Sequence, residues 1–332
     1  MATEVTHIVD PGEGAGHDYH SLSLWEAGEV GDLTGVRDEI SVAKCRATDG
    51  DADTTAVVLD GWITSPTQYI KIWTDPAESH RHDGKWNTSK YRLTVSGAYT
   101  IQNSENYTKI DGIQFSGNTG AIYRGLAIGD LSNCILNGLN TNNLSGVSQE
   151  SGGAITCWNV VAFNFGTGAS GFISYTNGSN FRNCTAFNCD NVGIENGYAD
   201  AVATNCVALT CGSCFDGGIV GNYNCSSDTT APGANSLKSK SAANNFVDIG
   251  AGTEDLHLKL GADCINTGTD LSAYFTTDID GTTRPTGANT WDIGADEYVM
   301  GYTKFIMKGN EEFVMDVFPS FKIKRKKTFL VS

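Results

Sequence analysis

Proline, methionine and basic residues are all scarce in this 332-residue chain. Six prolines and four methionines stand against 39 glycines, and 22 Lys and Arg against 38 Asp and Glu. The formal charge of −16 excludes a general nucleic-acid binder, which needs a basic footprint for phosphate. It is compatible with a soluble or cation-binding exterior. No apolar run reaches about 18 residues, so no membrane-spanning helix is expected. Residues 1–7 carry neither a basic start nor an apolar core, and no secretory signal is expected from them. Leu, Lys and Glu are sparse too. What remains is rich in Gly, Asn, Thr and Ser, a mix that suits many short strands joined by tight turns.

Between about residues 105 and 228 the chain repeats itself. Segments 111–115, 132–136, 158–162, 182–186, 204–208 and 223–227 align so that the central residue runs Ile113, Cys134, Val160, Cys184, Cys206, Cys225. The steps are 21, 26, 24, 22 and 19 residues. Two places on, the same face carries Phe115, Leu136, Ala162, Ala186, Ala208 and Ser227. Alternation with period two marks strands with one buried face, and recurrence near 22 residues marks one turn of a coil. The class is therefore all-β, with parallel strands about 4.8 Å apart and like side chains stacked in ladders.

Asn133, Asn159, Asn183, Asn205 and Asn224 form one such ladder. Its amides are expected to bond along the rod and to tolerate the bent backbone beside a turn. Four of the ten cysteines (Cys134, Cys184, Cys206 and Cys225) recur at coil spacing in the aligned segments, so reduced, stacked thiols are expected rather than disulfides. Cys189 and Cys211 form a second pair at the same spacing. A second strand per coil, at 171–173, 193–195 and 214–216, places Phe172, Ile194 and Phe215 inward and Ile173, Glu195 and Asp216 outward.

A solenoid's open ends need covering. Ser23-Leu24-Trp25-Glu26 reads as a capping box that opens a short helical cap, with Leu22, Leu24 and Trp25 as apolar cover. Strand-like runs follow at 39–43, 56–59, 69–73 and 92–95, so residues 1–100 read as an N-terminal cap and first, irregular coils. Residues 101–298 read as the body and closing coils, with 226–245 an external loop around Pro232-Gly233.

Thr276 to Pro285 (TTDIDGTTRP), followed by Trp291 to Tyr298 (WDIGADEY), resembles the closing signature of right-handed parallel β-helix repeat proteins. The opening His17 to Ala27 is similar to the start of β-helix proteins common in environmental bacterial and phage sequences. The resemblance brackets residues 7–298 and implies a right-handed parallel β-helix. It leaves function open among enzymes, adhesins and virion proteins.

Residues 299–332 lie outside it. They carry seven Lys and Arg against three Asp and Glu, which leaves −20 on residues 1–298. Runs 302–308 and 312–318 flank Gly309-Asn310 as a hairpin, and a third run holds Lys322, Lys324, Arg325, Lys326 and Lys327. This short C-terminal β extension reads as the assembly or attachment element, with these five cations as its binding residues. Its partners are expected to be symmetry mates or other virion proteins.

Catalytic candidates are few. Residues 100–250 contain no histidine, and their only arginines are Arg124 and Arg182, so the aspartate, His and Arg-x-Lys set of a polygalacturonase-like enzyme is excluded there. Glu195 and Asp216, outward on adjacent coils, have the spacing of a retaining glycosidase pair, but an acidic patch on an acidic rod accounts for them as well. Asp278 and Asp280 resemble the start of a Ca²⁺ loop whose later ligands are missing, and His80 with His82 could offer two imidazoles to a metal. No cofactor is implied. The leading expectation is a phage virion structural protein (tail fibre, tailspike or capsid decoration) that presents an exposed rod to surface glycans at the virion surface or outside the cell. A polysaccharide-degrading lyase or glycoside hydrolase is the alternative, and a bacterial surface adhesin the third.

Overall fold

The computed structural model describes residues 2–12, 16–97, 99–198, 200–287 and 291–299, with the backbone of 303–307 and 311–315. Its main body is a parallel β-helix. Three parallel sheets run its length, and each complete coil gives one strand to each. Sheet 1 runs from Thr3–Val9 and Glu39–Cys45 through Ile70–Trp73, Thr108–Asp111, Gly129–Ser132, Ile155–Trp158, Asn180–Arg182 and Val202–Thr204 to Val220–Asn222. Sheet 2 runs from Arg92–Val95 to Cys225–Ser226, and sheet 3 from Val57–Leu59 to Ser213–Phe215. The expected runs at 39–43, 56–59, 69–73 and 92–95 are all strands that join these same sheets.

Inward residues stack as like on like. Phe115, Leu136, Ala162 and Ala186 are in register and fully buried, and so are Phe172 and Ile194. Each large apolar side chain so buried contributes about 1.5–3 kcal/mol. The repeated segments, however, straddle a corner rather than lie within one strand. From Thr108–Asp111 onward, each coil leaves sheet 1 and enters sheet 2 through a single left-handed residue. These are Gly112 (φ 73°), Asn133 (49°), Asn159 (52°), Asn183 (46°), Asn205 (55°) and Tyr223 (56°). That conformation costs most L-residues about 1–2 kcal/mol, and Asn, whose short amide bonds locally, tolerates it. The last coil corrects the sequence alignment by one place. Cys225 pairs with Val207 and Ser226 with Ala208, so Tyr223 takes the corner and Asn224 leaves the ladder to accept the Cys206 N–H.

The helical cap also differs in register. Helix Leu22–Glu29 begins two residues earlier than the expected box, because Ser21 rather than Ser23 is its N-cap and accepts the Leu24 N–H at 3.1 Å. Leu22 and Trp25 are buried, but Leu24 faces solvent. Residues 226–245 are no external loop. They cover the last coil, burying Ala231, while Asp228, Thr230 and Ser236 accept the edge N–H groups of Cys214, Phe215 and Asn224. An edge that would template another chain is thereby satisfied.

Residues 246–297 turn back along the flank and dock on the Asn corner. Asn183 donates to the carbonyls of Asp292 and Gly294, Asn159 to Thr277, and Asn205 to Thr269. Arg284 is wholly buried there. It pairs with Glu297 at 2.9 Å and donates to Asn159 Oδ1 and to the Gly294 and Ala295 carbonyls. The closing signature is thus a lateral clasp. Tyr298 begins a second unit of the chain. In it, Thr303–Met307 and Glu311–Met315 pair antiparallel, as the hairpin reading expects.

All ten cysteines are free, and only Cys211 is partly exposed. Thiol titration without reductant is expected to find one reactive group at most in the native protein and ten after denaturation. Arg284→Met strands Glu297 in the interior and should lower unfolding free energy by about 3–5 kcal/mol, measured in urea.

Candidate functional site

The outward face of sheet 1 gathers side chains that repeat analysis of the corner segments passes over. Lys71, Lys109, Asp130, Thr156 and Asn180 occupy one register row, and Trp73, Asp111, Ser132, Trp158 and Arg182 the next. Both rows alternate with buried residues, so period two aims them outward. Lys71 lies over the Trp73 ring at 4.2 Å, and Lys109 over Tyr69 at 4.0 Å. At the opposite border the docked flank supplies a wall. Tyr274 covers the Arg182 guanidinium at 4.0 Å, and Phe275 stacks beside Trp158 at 6.3 Å. Asp130 lies between Lys109 and Arg182. Burial raises its pKa, against the opposing pull of those two cations. The signal was available in sequence: these residues sit one to three places before each corner, at the same coil spacing.

Glu195 and Asp216 do sit on neighbouring coils of sheet 3, where Ile194 pairs with Phe215 and the Asp216 N–H bonds to the Ile194 carbonyl. Glu195 is already engaged, accepting from Ser170 Oγ at 2.5 Å and from Asn191 at 3.5 Å. The cation on that face, Arg124, is held by Glu150 and Gln102 over the Tyr99 ring. Tyr175 and Tyr198 lie nearby, their rings 5.4 Å apart.

Asp278 and Asp280 part company. Asp278 accepts the N–H groups of Asp280, Thr282 and Glu297, which fixes the turn of the clasp, and burial beside Asp280 pushes its pKa up to about 9. Asp280 instead joins His257 and Asp296. Their ligand atoms all lie within 4.8 Å of one another, the one such set among the described residues suited to a metal ion. His82 is no ligand, because it is buried between the Asn133 carbonyl and the Gly84 N–H. The attachment cations Lys322, Lys324, Arg325, Lys326 and Lys327 lie outside the described residues.

Burial, reinforced by the Arg81 charge, pushes the His82 pKa down to about 3. The unfolded chain takes up a proton near pH 6.5 that the folded chain refuses, so stability falls as pH drops from there toward 3. His82→Gln should flatten that fall, by on the order of 1–3 kcal/mol at pH 4, when unfolding is compared with the parent at pH 7 and pH 4.

No family model matches the sequence, and no curated protein matches it. Among solved structures, the chain is similar to the one described as "Crystal structure of pectate lyase Pel9A". The identity is 14% and the TM-score 0.48, over 90% of this chain and 97% of that one.

Proposed function

We propose that this chain is a non-catalytic rod carried on a phage virion, as tail fibre, tailspike or capsid decoration, and that it binds surface glycans along sheet 1. The observation that carries the reading is the set of rings Tyr69, Trp73, Trp158 and Tyr274 distributed along one outward face. Sugar rings present apolar C–H faces and polar rims, which suits aromatic side chains with amides and charges between them. The phage placement draws support from the phage-like opening and from the charge reversal after residue 298. Residues 299–332, with Lys322 to Lys327, then serve as the attachment segment, joining symmetry mates or an acidic virion surface.

Glycan-array binding tests the face. Tyr274→Ala, at an exposed position, should weaken any ligand bound by the parent about fivefold or more, and an unchanged array would count against the reading. Truncation after Tyr298 tests the attachment segment. The remaining rod should keep its β signature and melting temperature but lose its oligomeric mass or particle binding, whereas unchanged assembly would make the segment a simple tail.

An enzymatic reading, a polysaccharide lyase or hydrolase, draws on Asp130, a half-buried carboxyl between two cations on the same face. Depolymerisation that disappears in Asp130→Asn would favour it. Loss in Glu195→Gln and Asp216→Asn would move the activity to sheet 3.

A further inference from the structure

Resting on the glycan-binding reading, we infer that the sheet 1 face is selective for an acidic polysaccharide, a polymer bearing carboxylates along its length. Residues 1–298 carry a net −20, so cations kept out of direct ion pairs on one face of this body need a reason. Lys44, Arg46, Lys71, Arg81, Arg124 and Arg284 are all held in ion pairs with carboxylates. Lys109, Arg182, Lys90, Arg92, Lys238 and Lys259 are not, and of these six only Lys109 and Arg182 lie over an aromatic ring. Among the described residues neither of those two forms an ion pair, although both are half-buried on the outward face.

Each of the two is instead stacked on an aromatic ring, Lys109 on Tyr69 and Arg182 on Tyr274, both at 4.0 Å. The rings restrict the cations and leave their remaining donors available to a ligand. Arg182 spends one donor on Asn180 Oδ1, within its own strand.

The spacing selects a polymer over a small anion. The strands Thr108–Asp111 and Asn180–Arg182 are three coil steps apart in sheet 1, about 14 Å along the rod. One carboxylate or phosphate cannot bridge that distance, whereas successive acidic sugars on an extended chain can. The Trp158 ring and the Thr156 side chain lie on a strand between them, with Asn180 beside Arg182, where sugar faces and hydroxyls would lie. Asp130 opposes an anion there, which makes the face responsive to charge at that one position. A nucleic acid is also a polyanion, but the surrounding acidic body disfavours so dense a charge.

Affinity electrophoresis and salt titration with alginate, hyaluronan, neutral dextran and poly-dT test this. Expected is retardation by at least one of the two polyuronate-containing polymers, lost by about 0.5 M salt, with none by dextran or poly-dT. The pair Lys109→Met and Arg182→Gln should weaken binding at least tenfold, and Asp130→Asn should strengthen it severalfold, a gain that a purely structural role does not give. Equal binding to dextran, or acidic-polymer binding untouched by the double substitution, would overturn the selectivity and leave the glycan reading standing. Binding to poly-dT as tight as to the uronates would overturn a glycan as occupant. Silence with all four polymers and on a glycan array would overturn both readings.

Discussion

The left-handed asparagine corner is the constraint on which the rest of this molecule depends. A coil of about 22 residues closes only if the chain turns sharply between sheets without leaving its backbone groups unpaired. One residue with positive φ does the turning at each coil, at Asn133, Asn159, Asn183 and Asn205. Its amide then bonds either the next asparagine or the flank. Asn159 donates to Asn133 at 3.0 Å, and Asn205 to Asn183 at 3.1 Å. Glycine would make the turn as readily, but it would offer no amide, and any other residue would strain the backbone.

The same corner gives the rod its second layer. Amide donors that point outward meet carbonyls of residues 269–294, and Arg284 fastens that segment from within by its ion pair with Glu297. The docked segment in turn brings Tyr274 and Phe275 to the border of sheet 1. The face proposed to bind glycan therefore combines two remote stretches of chain. The strands supply Lys109, Asp130, Trp158 and Arg182, and the clasp supplies the wall beside them.

The solenoid itself was legible, because a period near 22 and an alternation of two both leave marks in a single sequence. Stacked cysteines and the inward Phe172 and Ile194 followed from those marks alone. The corner was misassigned to a strand because positive φ is a backbone property, and the asparagines that signal it also suit ladders within strands. Cys225 was placed one position off because the last coil step, from Asn205 to Tyr223, shortens to 18 residues as the corner passes from Asn to Tyr. Residues 226–245 looked like a loop by composition, yet their polar side chains serve to pair the edge of the final coil. The sheet 1 face stayed hidden for another reason. Its wall, Tyr274 and Phe275, comes from a segment more than 90 residues beyond Arg182 in sequence, and no local pattern reports that docking. Glu195 and Asp216 were correctly seen as neighbours, but the Ser170 hydroxyl that engages Glu195 was not readable from their spacing.

The corner amide has a double role, and Asn183→Gly separates its two parts. Glycine retains the left-handed turn and removes the two bonds to the flank, together with the one Asn183 accepts from Asn205. Hydrogen–deuterium exchange, followed segment by segment in native conditions, reads the consequence. The account predicts faster exchange across residues 265–297, with the coils between 108 and 149 unchanged. Unaltered protection of 265–297 in Asn183→Gly would contradict it, as would loosening of the whole rod at once.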